Sequence, residues 1–169
     1  MAVRKSYRGL SEIERDRFVQ ALYQVKSTGL IDEYAEMHET HFGHGIHTSS
    51  HFLPWHREFL VRFESALQDH HPDITIPYWD STVSTSPSDS LWDNDFLGQF
   101  DSEWGLDRAL GGSVLPAQSL VETNQGQPTY ALFWPQLERP IVIAVVTVIR
   151  VIVVINVIGT GLVTIVDIV

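Results

Sequence analysis

Apolar positions between residues 11 and 28 recur at helical spacing. In LSEIERDRFVQALYQVKSTGL, Phe18, Leu22 and Val25 share one face while charged residues take the others, which predicts an amphipathic helix. Both ends are marked: Ser11 and Glu14 make a capping-box pattern, and Gly29 offers a left-handed stop. A second, shorter helix is predicted from near Asp32 through His38, since Ile31, Tyr34 or Ala35, and His38 fall on a common stripe. His38 therefore points where the apolar residues point. GHGIHTSSHF, with its glycines and small hydroxyl residues, reads as a connecting loop, and Pro54 suits the first turn of a third helix. Along LPWHREFLVRFESALQ, His56, Leu60, Phe63 and Leu67 stand at i, i+4, i+7 and i+11, so His56 is also on the buried side. Arg57, Glu58, Arg62 and Glu64 take mostly other faces, and Glu58 with Arg62 adds a few tenths of a kcal/mol at most. HHPD ends this helix near His70.

After Pro72 the pattern loosens. Only Ile74 and Ile76 alternate briefly, and the turn-rich stretch that follows is expected to be irregular structure packed by Trp79, Trp92, Phe96, Phe100 and Trp104. Residues 111 to 130 read as loop and YALFWPQLE as a short helix or turn. The tail from Pro140 is different material: nineteen of the twenty-nine residues from 141 to 169 are Val or Ile, with no aromatic among them. Three readings compete for it. A transmembrane helix fits the length, although Arg150 near its middle costs about 2.5 to 3.5 kcal/mol on insertion scales. A pair of core strands fits the β-branched composition, with Gly159 to Gly161 as the turn. The third reading is a slipped reading frame, because codons with U in the middle position encode only Phe, Leu, Ile, Met and Val.

Length and charge narrow the picture. A chain of 169 residues suffices for one domain with a hydrophobic core, here taken as residues 1–139, with 140–169 as an apolar low-complexity tail. The net charge of −10 lies wholly before residue 140, which argues against nucleic acid as a partner. There is no cysteine, so disulfides, thiolate zinc sites and iron–sulfur clusters are excluded, and any metal must be held by histidine or carboxylate. The start, MAVRKSYRGL, has positive charge but no apolar stretch behind it; no secretory signal is expected, and the cytoplasm is the default compartment.

All eight histidines fall between His38 and His71, and six of them occupy the nineteen residues from His38 to His56. A single histidine on an apolar face is usually a hydrogen-bonded core residue. Here His38 on one helix face, His56 on another and His47 in the loop between stand nine residues apart, and a two-helix hairpin would bring all three to one point. Three neutral imidazoles without thiolate suit copper or zinc above other ions. Phe52, Trp55 and Phe59 are placed either to wall such a site or to fill ordinary core. His51 is four residues from His47, so both could face one metal if the loop is helical there; otherwise His51 is accessory or solvent-facing, and His70 and His71 are expected to face water at a helix end.

The block HTSSHFLPWHREFLVRFESAL, followed by ITIPYWD, resembles the first copper-binding half of the tyrosinase family, the type-3 copper proteins that include catechol oxidases and molluscan haemocyanins. A histidine, eight residues, then a histidine inside PWHR, trailed by PYWD, is a specific pattern, and weaker similarity extends over about residues 3 to 138. The resemblance implies a mainly α fold, half of an antiparallel four-helix bundle with long irregular loops. It implies that His47 and His56 are the second and third ligands of the family's first copper, with His38 the best match to the first and His41 its rival. It further implies phenolic substrates, dioxygen, and two copper ions in the complete site, hydroxylating monophenols or oxidising o-diphenols to o-quinones. Arg57, Glu64 and Asp80 match family motif positions that look like supporting or helix-tying groups, or are surface ion pairs.

The pattern then breaks. The family's second copper needs a histidine pair four apart and a third further on, and this sequence has no histidine after His71. Two expectations follow. In one, the chain is a truncated or frame-shifted tyrosinase-like oxidoreductase that holds one copper and has weak or absent activity, unless a second chain supplies the other half. In the other, it is a mononuclear copper or zinc binding module without phenol oxidase activity.

Overall fold

In the computed structural model, which describes residues 3–80, 83, 89–93, 95–97 and 118–136, helix α1 spans Glu12–Ser27 and starts where the capping pattern predicts. Ser11 Oγ accepts the Glu14 amide at 3.3 Å and Glu14 Oε2 accepts the Ser11 amide at 2.8 Å, so two amides left over by the helix start are paired reciprocally. Lys5 Nζ donates to the same carboxylate at 2.5 Å, and this bond, ahead of those from Ser11, pulls Glu14 down to about 2. Gly29 ends the helix at φ 80°, in the left-handed region.

Helix α2, Leu30–His41, follows at once and buries Ile31 and His38. Helix α3, Phe52–Gln68, buries Phe52, Leu60, Phe63 and Leu67. The two run antiparallel, as their side-chain pairing requires: His38 meets His56, while Tyr34, one turn earlier on α2, packs edge-on against Phe59 and Phe63 further along α3, both at 5.2 Å. Helix α1 packs on both. The connection differs from the expected open loop in its first half. Phe42–Ile46 forms a π-helical turn that prolongs α2, broken at Gly45, whose φ of 80° only glycine adopts without strain.

The core gathers Phe18, Ala21, Leu22 and Val25 of α1 against Leu60, Phe63 and Leu67 of α3, and closes with Ile74 and Ile76. The segment after α3 is held by backbone bonds from Tyr7 to the Tyr78 carbonyl and from Tyr78 to the Lys5 carbonyl, a lone parallel bridge. Glu64 sits at this junction. Its Oε2 accepts Arg4 Nε and the Ile76 amide, each at 2.9 Å, so of the two roles open to it, helix-tying is the one observed. Arg57 is exposed, and Glu58 pairs with Arg62 at 2.7 Å on the outer face.

Of the five aromatics expected to pack the later segment, Phe96 is fully buried against Tyr7 and Phe18, and Trp79 lies partly buried on the core. The Trp92 side chain, Phe100 and Trp104 lie outside what the structure describes. Buried Asp89 accepts from Tyr7 Oη, from Arg8 Nη2 at 2.5 Å and from the Leu91 amide at 3.0 Å, fastening this segment to the chain's start. The expectation of loop over 111–130 is corrected in part: helix α4 occupies Gln118–Gln125, and residues 130–136 are helical. QSLVETNQ has no apolar stripe at helical period, which is why its pattern reads as loop. The Val and Ile tail lies outside the described residues, and no helix among those described is long and apolar enough to cross a membrane.

Candidate metal centre

Each of the three central histidines reaches the same point from a different piece of backbone. His38 comes from the ninth residue of α2, on its buried stripe; His56 comes from the first turns of α3; His47 is the residue where the π-turn gives way to extended chain, at φ −115° and ψ 156°. His38 Nε2 lies 3.2 Å from His47 Nε2 and 3.3 Å from His56 Nε2, and one nitrogen of each ring lies within 4.8 Å of the others. These separations suit a metal. Metal–imidazole bonds of about 2.0–2.1 Å at tetrahedral angles set neighbouring nitrogens roughly 3.3–3.4 Å apart.

His56 is locked in one tautomer. Its Nδ1 lies 2.7 Å from the Phe52 carbonyl, an acceptor, so Nδ1 carries the proton and Nε2 presents a bare lone pair to the centre. Sequence periodicity puts His56 on the right face, but it does not reveal that the carbonyl four residues back sets its protonation.

Burial favours the neutral form of all three rings. Burial, aided by the charges that His56 and His47 would carry, pushes His38 down to about 3; burial, then His56, pushes His47 down to about 4. Burial also lowers His56, opposed by its bond to the Phe52 carbonyl. All three imidazoles are thus neutral at pH 7, the form that ligates.

Aromatic rings pack around the centre, in which His38 and His47 are buried and His56 is half-buried. Phe52 stands 4.7 Å from His56 and 5.5 Å from His47; Trp55 stands 5.0 Å from His56 and 5.7 Å from His38 and stacks on Phe59 at 5.2 Å. Phe59 is 6.1 Å from His38. The alternative of ordinary core filling is therefore too narrow for these three residues, which pack against the three histidine rings themselves.

The loop after His47 is held under strain. Thr48 has φ 54°, a left-handed conformation that costs a β-branched residue about 1–2 kcal/mol. Local bonds fix it there: Thr48 Oγ1 to the His47 carbonyl at 2.8 Å, Ser49 Oγ to the Gly45 carbonyl, and Tyr130 Oη to the Ser50 carbonyl at 2.8 Å. Tyr130, eighty residues away in sequence, gives no signal of this role in its local pattern.

The other histidines separate cleanly. His41, the rival for the first position, is exposed and turns its Nδ1 back to the Met37 carbonyl at 2.7 Å, so His38 is the one brought to the centre. His44 is exposed. His51 is exposed with Nδ1 3.4 Å from Ser49 Oγ. His70 is exposed and His71 half-buried just beyond α3.

Comparison with known proteins agrees with this geometry. A family model described as the common central domain of tyrosinase matches residues 29–128, which include all three central histidines. The chain is 40% identical over 122 residues to a tyrosinase of Streptomyces antibioticus, covering 68% of this chain and 42% of that protein. It is 36% identical over 106 residues to grixazone synthase of Streptomyces griseus, covering 57% of this chain and 35% of that enzyme. It is also 32% identical over 111 residues to hemocyanin type 2 unit e of Rapana venosa, covering 54% and 27% respectively. The chain thus spans less than half the length of these curated relatives.

Proposed function

This chain belongs to the tyrosinase family and carries a tyrosinase-like copper-binding domain, and on that premise we propose that His38, His47 and His56 hold one tightly bound copper ion, the first-copper half of a phenol-oxidising centre. The observation that carries the reading is the convergence of three neutral Nε2 atoms inside an aromatic wall. Bound copper supplies the redox chemistry that, in the complete family site with two ions, couples dioxygen to the oxidation of phenols. The chain's own residues do the rest. Phe52 fixes the His56 proton on Nδ1, His38 and His47 stay unprotonated because they are buried, and Phe52, Trp55 and Phe59 exclude water from the ligand face.

Phenolic substrates and dioxygen are the proposed reactants of the complete centre, and the second ion needs histidines that the sequence does not offer after His71. Alone, this chain is therefore a one-copper half-site with weak or absent phenolase activity. The test is metal content and turnover on one preparation. Purified chain dialysed after copper loading should retain one ion per chain, lose it in a His47→Gln variant, and form quinone from catechol far below tyrosinase rates. Two dialysis-resistant ions per monomer, robust quinone formation by the monomer, or preferential retention of zinc over copper would each overturn the proposal.

A further inference from the structure

Three histidines between residues 38 and 56 stand outside the central triad, and two of them lie together. His41 and His44 are both exposed, with ring centroids 6.1 Å apart. His41 donates from Nδ1 to the Met37 carbonyl at 2.7 Å, which leaves its Nε2 as an unprotonated donor in the neutral ring. His41 ends α2 and His44 follows in the π-turn, where its backbone leaves the helix at φ −104° and ψ 28°. Two imidazoles are a borderline donor pair, one that takes copper in preference to magnesium or calcium.

Position gives this face a purpose. The His41 ring lies 6.1 Å from Trp55, and Trp55 lies 5.7 Å from His38 and 5.0 Å from His56, so one indole separates the exposed pair from the buried triad. His38 and His47 are only 4% and 5% exposed, and a hydrated ion must shed water before it reaches them. An exposed pair of imidazoles replaces that water stepwise, and a site this close presents the ion at an effective concentration on the order of millimolar.

We propose that His41 and His44 form an outer, weaker copper station from which the ion passes Trp55 to His38, His47 and His56, an inference that rests on the copper reading of the triad. The test uses the full metal-free chain, copper alone as the probe, and the double variant His41→Gln/His44→Gln. Both substitutions are at exposed positions, so the circular dichroism of the variant should match wild type. Wild type should hold one dialysis-resistant ion and one that dialysis removes. The variant should keep the resistant ion, lose the removable one, and load, as followed by tryptophan quenching at micromolar copper, about tenfold or more slowly. A variant that loads at the wild-type rate with its resistant ion intact overturns the handover alone. Wild type that binds only the removable ion overturns the copper reading of the triad and the handover with it.

Discussion

Acid should unfold the metal-free chain earlier than its carboxylates alone would dictate, and the buried triad sets by how much. In the unfolded chain a histidine titrates near 6.5. In the folded chain His38 is held at about 3 and His47 at about 4. Between those limits the unfolded state binds protons that the folded state refuses, so stability is full above pH 6.5 and falls as pH drops toward 4. Each group loses about 1.4 kcal/mol per pH unit in that window. Because the unfolded histidine is only half-protonated at pH 6.5, the loss for the two residues together between pH 6.5 and 5.0 is roughly 3 kcal/mol, a large part of the 5–15 kcal/mol typical of a domain. Glu14, held at about 2, acts only below its unfolded value near 4.5 and leaves this window clear.

The assay is a series of urea melts of metal-free chain at pH 7.5, 6.5, 5.5 and 5.0, with the midpoint read at constant slope. The midpoint should be flat between 7.5 and 6.5 and then fall steeply. A His38→Asn variant should be less stable at pH 7.5 but show a shallower fall. Bound copper should blunt the fall further, because a ligand at a hundred times its Kd adds about 2.7 kcal/mol to the folded state. A midpoint unchanged from 7.5 to 5.0 in metal-free wild type would refute the argument that these imidazoles are buried and neutral.

Two further outcomes follow from the contacts. Glu64→Ala leaves the Ile76 amide and the Arg4 guanidinium without their shared acceptor, and should cost about 2–3 kcal/mol in a denaturant melt; a loss under about 0.5 kcal/mol would mean the junction is not held there. His38→Ala should weaken copper binding at equilibrium by more than about 100-fold, whereas His41→Ala should leave the affinity of the tight ion within about threefold; isothermal titration separates the two, and the reverse ranking would transfer the first ligand position to His41.

Helices α1, α2 and α3 and two of the three central rings are legible in the sequence because both depend on a local period, whereas α4, without an apolar stripe, is not. Phe18, Leu22 and Val25 mark the inner face of α1, and the stripes of α2 and α3 carry His38 and His56 inward with their apolar neighbours. His47 has no such support. Nothing periodic governs a residue between a π-turn and a bend, and only its nine-residue spacing and the family resemblance pointed to it. What closes it onto the centre is the non-periodic geometry of its own loop, the Ser49 bond to the Gly45 carbonyl and the strained Thr48 backbone, with one long-range bond from Tyr130 to the Ser50 carbonyl. Glu64 was ambiguous for the same reason, since Arg4 lies sixty residues away and an amide at Ile76 leaves no mark in composition.

All three rings and their aromatic wall come from residues 38 to 59, packed on a core that α1, Ile74 and Ile76 complete. The nitrogens are therefore brought together by short-range chain geometry and by apolar burial, with no contribution from a second set of histidines. A centre assembled this way is preorganised before the metal arrives, because the cost of gathering its ligands is met by folding α2 against α3. It follows that substitutions in the α1–α3 core, such as at Phe63, should weaken copper binding only as far as they unfold the chain, whereas substitutions at Phe52 or Trp55 should change the centre with the fold intact.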